Sequence, residues 1–168
     1  MEANAAVREL AAGVNADGGL GTTLVAVVVA GHSLYWISAG DSRLYLFRQG
    51  RMTRITQDHN YAGWLREAAY RGDVAPDAAE LHPGRDALTS YLGQAELEKI
   101  DRNVRSYPLE AGDWLLLCSD GLHGMLSEAE IGAELVGEPQ DAAERLILRT
   151  LEKKHPHQDN VSAVILAC

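Results

Sequence analysis

From Gly18 to Gly40 the chain carries no Asp, Glu, Lys or Arg, and that run is long enough on length alone to cross a bilayer. Gly31-His32-Ser33 interrupts it at its centre, and Val and Thr crowd its first half. In its second half Leu34, Trp36 and Ser38 alternate with Tyr35, Ile37 and Ala39. β-Branched crowding and a period of two mark strands, not a spanning helix, so the run reads as two β-strands joined by a tight turn and no membrane contact is expected.

A second pattern recurs three times. Leu115-Leu116-Leu117-Cys118 runs into Ser119-Asp120-Gly121, and Ile37-Ser38-Ala39 runs into Gly40-Asp41-Ser42-Arg43. In the reverse order, Asp159-Asn160 precedes Val161-Ser162-Ala163-Val164-Ile165-Leu166. A carboxylate at the mouth of a buried strand is costly to desolvate and must meet a cation, hydrogen-bond donors or water. If the three strand ends converge, repulsion among Asp41, Asp120 and Asp159 raises their pKa values unless a divalent cation neutralises them. Hard oxygen donors of this kind suit Mg²⁺ or Mn²⁺ better than Zn²⁺, which prefers Cys and His. Taken alone, Asp41 in Gly-Asp-Ser also fits a turn residue capping its own backbone, and Asp113 in Ala-Gly-Asp fits nothing else.

With 168 residues, 46% of them apolar, the chain suffices for one domain with a real core. A formal charge of -9, with no dense Lys or Arg patch, argues against nucleic acid and anionic membrane surfaces as partners. Two cysteines, Cys118 and Cys168, make no disulfide framework and suggest a reducing compartment. Met1-Glu2-Ala3 opens no secretory signal, so a cytoplasmic address is expected.

Along the chain, Ala6, Leu10 and Val14 give a helix over 5–14, followed by the glycine-rich Asp17-Gly18-Gly19-Leu20-Gly21. Strands over 22–30, 33–39, 43–48 and 52–56 read as an antiparallel meander. Tyr61, Trp64, Leu65, Ala68 and Ala69 place a helix within 58–71, stopped by Gly72, with Tyr61 and Trp64 as core candidates. Pro76, Pro83 and Gly84 then punctuate an irregular excursion with a short helix, so 58–86 reads as an inserted lobe.

A strand over 104–109, the turn 110–113 and the strand 114–118 read as a hairpin. Two helices follow, for which Ser127 with Glu130 and Asp141 with Glu144 each fit a capping box. A last strand covers 161–167. Strands grouped before helices indicate α+β layering: sheet packed on sheet, helices outside, a single domain over 1–168.

These residues also carry a family likeness. In order, Gly21-Thr22-Thr23, Gly40-Asp41-Ser42-Arg43, Thr56-Gln57-Asp58-His59, His82-Pro83-Gly84-Arg85, Leu88-Thr89-Ser90-Tyr91-Leu92-Gly93, Ser119-Asp120-Gly121-Leu122 and Asp159-Asn160-Val161 resemble the later part of a bacterial metal-dependent protein phosphatase of the PP2C (PPM) type. The resemblance implies a sandwich of two antiparallel β-sheets flanked by α-helices. It also implies hydrolysis of phosphoserine and phosphothreonine in phosphoproteins, by in-line attack of water activated between two Mn²⁺ or Mg²⁺ ions. By it Asp120 and Asp159 hold one metal, Asp41 lies at an additional position shared with Asp120, Arg43 pairs structurally near the strand end, and the lobe is a flap that sets substrate choice.

Departures qualify what is expected. The family's opening Arg, Glu-Asp pair and Asp-Gly-His-Gly-Gly segment have no counterpart before Gly21, Gly124 stands where many relatives place an aspartate, and Ser90 replaces an arginine. The expectation is a chain lacking half of the metal cage, impaired in activity, with an exposed sheet edge that favours self-association. The alternative is a pseudophosphatase, a non-catalytic module that docks a phosphoprotein or a serine/threonine kinase.

Other motifs fit plainer roles. His155 and His157 lack a third ligand and read as solvated loop; His59, His82 and His123 read as surface residues. Cys118 lacks the arginine of a thiol-phosphatase loop and reads as buried and structural. Gly18-Gly19-Leu20-Gly21-Thr22-Thr23 lacks the lysine of a phosphate loop.

Overall fold

A computed structural model describes residues 2–14 and 19–168. The chain runs α1 (Glu2–Gly13), β1 (Leu24–Ala30), β2 (Ser33–Ala39), β3 (Arg43–Arg48), β4 (Arg51–Arg54), α2 (Tyr61–Arg71), α3 (Ala78–Leu81), β5 (Asp101–Arg102), β6 (Tyr107–Pro108), β7 (Trp114–Cys118), α4 (Asp120–His123), α5 (Glu128–Glu134), α6 (Pro139–Glu152) and β8 (Ala163–Ala167). The Asp17-Gly18 step after the first helix lies outside the described residues.

The uncharged run folds as the expected hairpin: β1 and β2 pair antiparallel from Leu24 opposite Ala39 to Ala30 opposite Ser33. The meander, however, is broken. β2 belongs to a sheet with β1, β5 and β6, while β3 belongs to a second sheet ordered β4-β3-β7-β8. The chain crosses between layers at Gly40, whose φ of 109° only glycine adopts readily and where a Cβ would collide with the Thr23 side chain. The expected hairpin of residues 104–118 is likewise corrected: β6 pairs with β2 and β7 with β3 and β8, so the turn 110–113 carries the chain from one layer to the other.

Alternation along β3 and β7 shows why their sequences are apolar throughout. Leu44, Leu46 and Leu115 face the β1–β2 layer, joining Leu34, Val25, Val27 and Trp36. Tyr45, Leu116 and Cys118 face the helices, packing on Leu122, Leu126, Ile131 and Leu146. Both faces of these two central strands are largely buried, and a continuous hydrophobic run satisfies both.

Helix ends follow local chemistry. Ser127 caps α5 in the expected capping box with Glu130. For α6 the Asp141–Glu144 box does not form: the N-cap is Glu138, and Pro139, whose fixed φ suits the first helical position, starts the helix earlier and leaves Asp141 in its first turn. Asn60 caps α2 by accepting the Gly63 N–H, and Gly72 closes it in the left-handed conformation. Within α2, Ala62, Leu65 and Ala68 are buried and Tyr61 packs against the lobe's cluster, but Trp64, stacked on Tyr61, is 41% exposed. The excursion 58–86 has its own small cluster of Ala62, Leu65 and Ala79. No helix among the described residues is long and apolar enough to cross a membrane.

Candidate active site

In the second sheet Arg43 lies opposite Cys118, and Cys118 opposite Ala163. Because these neighbours run antiparallel, the start of β3, the end of β7 and the start of β8 fall at one end of the sheet. Asp41 immediately precedes β3, Asp120 follows β7, and Asp159 precedes β8, so the register carries all three acids to the same rim. Together with Asp58, Asn60, Arg66, Arg85 and His123 they line one cleft of about 510 Å³.

The loops bearing Asp120 and Asp159 are stitched to each other. Ser119 donates its N–H to the Ser162 carbonyl (3.1 Å) and its hydroxyl to the Asn160 carbonyl (3.3 Å). The Gln158 amide donates to the carbonyls of Gly121 (3.1 Å) and Asp159 (2.9 Å). Gly121 is required there because a Cβ would run into the Asn160 carbonyl. Asp120 Oδ1 accepts the Gly121 N–H at 2.9 Å and Asp159 Oδ1 the Asn160 N–H at 2.7 Å, which fixes each carboxylate to its own loop.

Asp41 is held by two histidines that spacing alone left on the surface. His59 is only 4% exposed. Its Nδ1 accepts the Gly40 N–H (3.3 Å) and its own N–H donates to the Gly40 carbonyl (2.9 Å), so it brackets the residue before Asp41. His123, half-buried, lies with Nε2 3.0 Å from the Asp41 carbonyl. A carbonyl only accepts, so that nitrogen carries the proton. Burial holds both imidazoles below the ordinary histidine pKa. His82, His155 and His157 are exposed, as expected.

The electrostatics are those of a crowded acid site. Burial first, then the charges of Asp120 and Asp58, push Asp41 up to about 6. Burial also penalises the Asp58 carboxylate, but the Arg43 hydrogen bonds outweigh it and hold that acid below its ordinary value. Cys118 is pushed up to about 12 by burial, which keeps it a thiol and removes it as a nucleophile.

Asp41, Asp120 and Asp159 are hard oxygen donors, the kind that suits Mg²⁺ or Mn²⁺, and they fit such ions in chemistry. In arrangement they are open: among the described residues no three His, Cys, Asp or Glu side chains draw close enough together to hold a metal ion. Asp58, Asn60, Arg66, Arg85 and His123 were not foreseen as cleft residues. The Thr56-Gln57-Asp58-His59 motif was the available signal for Asp58, but only the contact of the lobe with the strand ends reveals its role.

A two-layer sandwich with an acidic cleft at one rim of the β4-β3-β7-β8 sheet defines the class of protein. The family profile Protein phosphatase 2C matches residues 3–63. The chain is 37% identical over 148 residues to the serine/threonine protein phosphatase PstP of Mycobacterium tuberculosis, covering 88% of this chain and 27% of that one. It superposes on the S. agalactiae serine/threonine phosphatase with a TM-score of 0.83 at 30% identity, over 99% of this chain and 67% of that one. The catalytic domain of PstP in complex with two manganese ions gives a TM-score of 0.72 at 33% identity, over 96% and 66%. The chain belongs to the PP2C family of serine/threonine protein phosphatases. It spans about a quarter of the curated relative and two thirds of the solved ones.

Proposed function

We propose that this chain carries the metal-binding rim of a phosphoserine and phosphothreonine phosphatase, with Asp120 and Asp159 holding one Mn²⁺ or Mg²⁺ and Asp41 serving an additional position. The observation that carries the reading is the arrival of all three acids at one end of the β3-β7-β8 register, lining a single cleft. Such ions, when bound, stabilise charge on phosphoryl oxygens and make water a better nucleophile at neutral pH. The chain's own part is placement: stitched loops fix Asp120 and Asp159, and the two histidines set the backbone at Asp41. The manganese ions held by the PstP catalytic domain support the choice of metal.

The open arrangement of the acids supports weak cation binding and low turnover by this chain alone. It also favours a second reading, a non-catalytic module that binds a phosphoprotein or a kinase. Isothermal titration with Mn²⁺ and a p-nitrophenyl phosphate assay decide between them. Mn²⁺ binding abolished by Asp120→Asn, with slow metal-dependent turnover, supports the phosphatase; phosphopeptide binding that needs no metal, without turnover, supports the module. Rapid turnover in the presence of chelator refutes the metal assignment.

Residues 1–168 act here as a single domain, with 58–86 as the flap. The cytoplasmic assignment has the support of two unpaired cysteines, Cys118 and Cys168. Self-association has the support of β1 and β8, each paired on one side only, and of exposed Val28, Tyr35 and Ile37 on the outer face of the first sheet. Light scattering tests it, and a monomer at high concentration overturns it.

A further inference from the structure

The cleft has a second electrostatic side, on the lobe, apart from the three strand-end acids. Ala62 and Arg66 lie one turn apart on α2 and both line it, and Arg85 reaches it from the loop after α3. The two arginines share one frame: the Ala62 N–H donates to the Arg85 carbonyl (2.8 Å) and the Tyr61 N–H to the Ala87 carbonyl (2.9 Å), so the loop satisfies the open end of the helix.

Neither guanidinium is consumed by a buried acid. Arg43 and Arg54, by contrast, both pair with Asp58. Arg66 makes no ion pair among the described residues. Arg85 is held loosely: its buried Nε lies 3.4 Å from Asp86, a carboxylate 84% exposed, without a hydrogen bond, and its Nη1 donates to the Glu80 carbonyl at 3.4 Å. Two guanidinium groups on one frame line one cleft, Arg66 with no ion pair among the described residues and Arg85 held only by an exposed acid and one carbonyl, so both have donors to spare for an anion. Arginine's planar fork suits carboxylate and phosphate oxygens.

We infer that Arg66 and Arg85 are specificity-determining residues that bind acidic side chains flanking the phosphorylated residue of the substrate. The inference rests on the phosphoprotein reading above and names the substrate class for that site. With cations bound, the acidic rim would draw the phosphoryl group, and the lobe side would read the neighbouring residue. A basic flank would instead meet two arginines at close range and be repelled. The preference is therefore built into the lobe, apart from the acids that hold metal.

The test is fluorescence anisotropy of the full chain with Mn²⁺ and two labelled phosphoserine peptides, identical except for Glu or Lys on both flanks. Wild type should bind the Glu-flanked peptide on the order of ten-fold tighter, and added salt should narrow the gap. Arg66→Gln and Arg85→Gln should each reduce that ratio by roughly three-fold, with Arg66→Lys keeping part of it because the charge survives without the fork. Circular dichroism melting confirms that each variant is folded. Equal binding of both peptides by wild type, or a ratio unchanged in both Gln variants, overturns the role of the arginines alone. Failure of wild type to bind either phosphopeptide overturns the phosphoprotein reading and this inference together.

Discussion

Arg43 grips Asp58 with both arms of its guanidinium, Nε to Oδ1 at 2.8 Å and Nη2 to Oδ2 at 2.7 Å. One partner opens β3 at the acidic rim and the other roots the lobe, so the pair ties lobe to sheet beside Asp41. Arg54 adds a third bond to Asp58 at 3.0 Å, and Arg43 also donates to the Tyr45 hydroxyl at 2.9 Å. The Asp58 side chain is 1% exposed, so removing Arg43 strands most of its charge in the interior. Arg43→Ala should destabilise the fold by about 3 kcal/mol, read by urea denaturation, whereas Arg43→Leu with Asp58→Leu should recover most of the loss. A single variant as stable as wild type would show that the pair is not structural.

Gly121 makes the close approach of the Asp120 and Asp159 loops possible, since a methyl group at that position meets the Asn160 carbonyl. Gly121→Ala should push the two carboxylates apart while leaving each in its own loop. Expected is a roughly ten-fold weaker affinity for Mn²⁺, measured by electron paramagnetic resonance of the free ion, with a far smaller change in melting temperature. Unaltered affinity would mean that the two acids do not share an ion.

How far the sequence discloses this molecule depends on the kind of information each residue carries. Strands at 33–39 and 43–48, the Ser127 capping box and the Gly72 stop were legible because each is a local preference that tertiary contacts here reinforce. Asp41, Asp120 and Asp159 were legible as candidates from carboxylates abutting apolar strands, but that their strand ends share one rim comes from the register. Which strands pair was not. Ala39 through Arg43 alternates in the same way whether the chain turns back within a sheet or steps to the next layer, and β6 and β7 are separated by a turn that suits either route. Nor does spacing distinguish His59, buried by folding of the lobe onto Gly40, from a surface histidine. Trp64 has the period of a core residue, but α2 lies on a small lobe whose cluster is filled by Ala62, Leu65 and Ala79.

Asp113, expected only to shape a turn, is also an ion-pair partner. Arg48 meets it with Nε at 2.7 Å and Nη2 at 2.6 Å, and the Glu110 N–H donates to its Oδ2 at 2.8 Å, while the Asp113 side chain is 1% exposed. The Arg48 hydrogen bonds first, against the burial penalty, hold its pKa below the ordinary 3.8. A depressed acid binds protons less readily folded than unfolded, so its stabilisation is complete above 3.8 and is lost as pH falls through the lower, folded value. Asp113→Asn should therefore cost about 2 kcal/mol near neutrality and progressively less in that acid window. Urea midpoints of both proteins along a descending pH series check this. Curves that stay parallel to the most acidic pH would remove the charge from the explanation.

Ser90 is fully buried, and its hydroxyl closes a loop from both directions: it donates to the Lys99 carbonyl at 2.8 Å and accepts the Lys99 N–H at 3.1 Å. Lys99 in turn reaches Glu67 on α2 at 3.1 Å. One small side chain thus satisfies two backbone groups and pins the segment leading from the lobe to β5. Ser90→Ala leaves both groups without that partner and should cost about 1–2 kcal/mol, with amide exchange accelerated at residues 94–100 but not in β7. Ser90→Thr should keep both bonds only if its methyl group finds room, so it should fall between Ala and wild type. Exchange that rises equally in β7 would indicate global loosening, and the closure by Ser90 would then lose its local meaning.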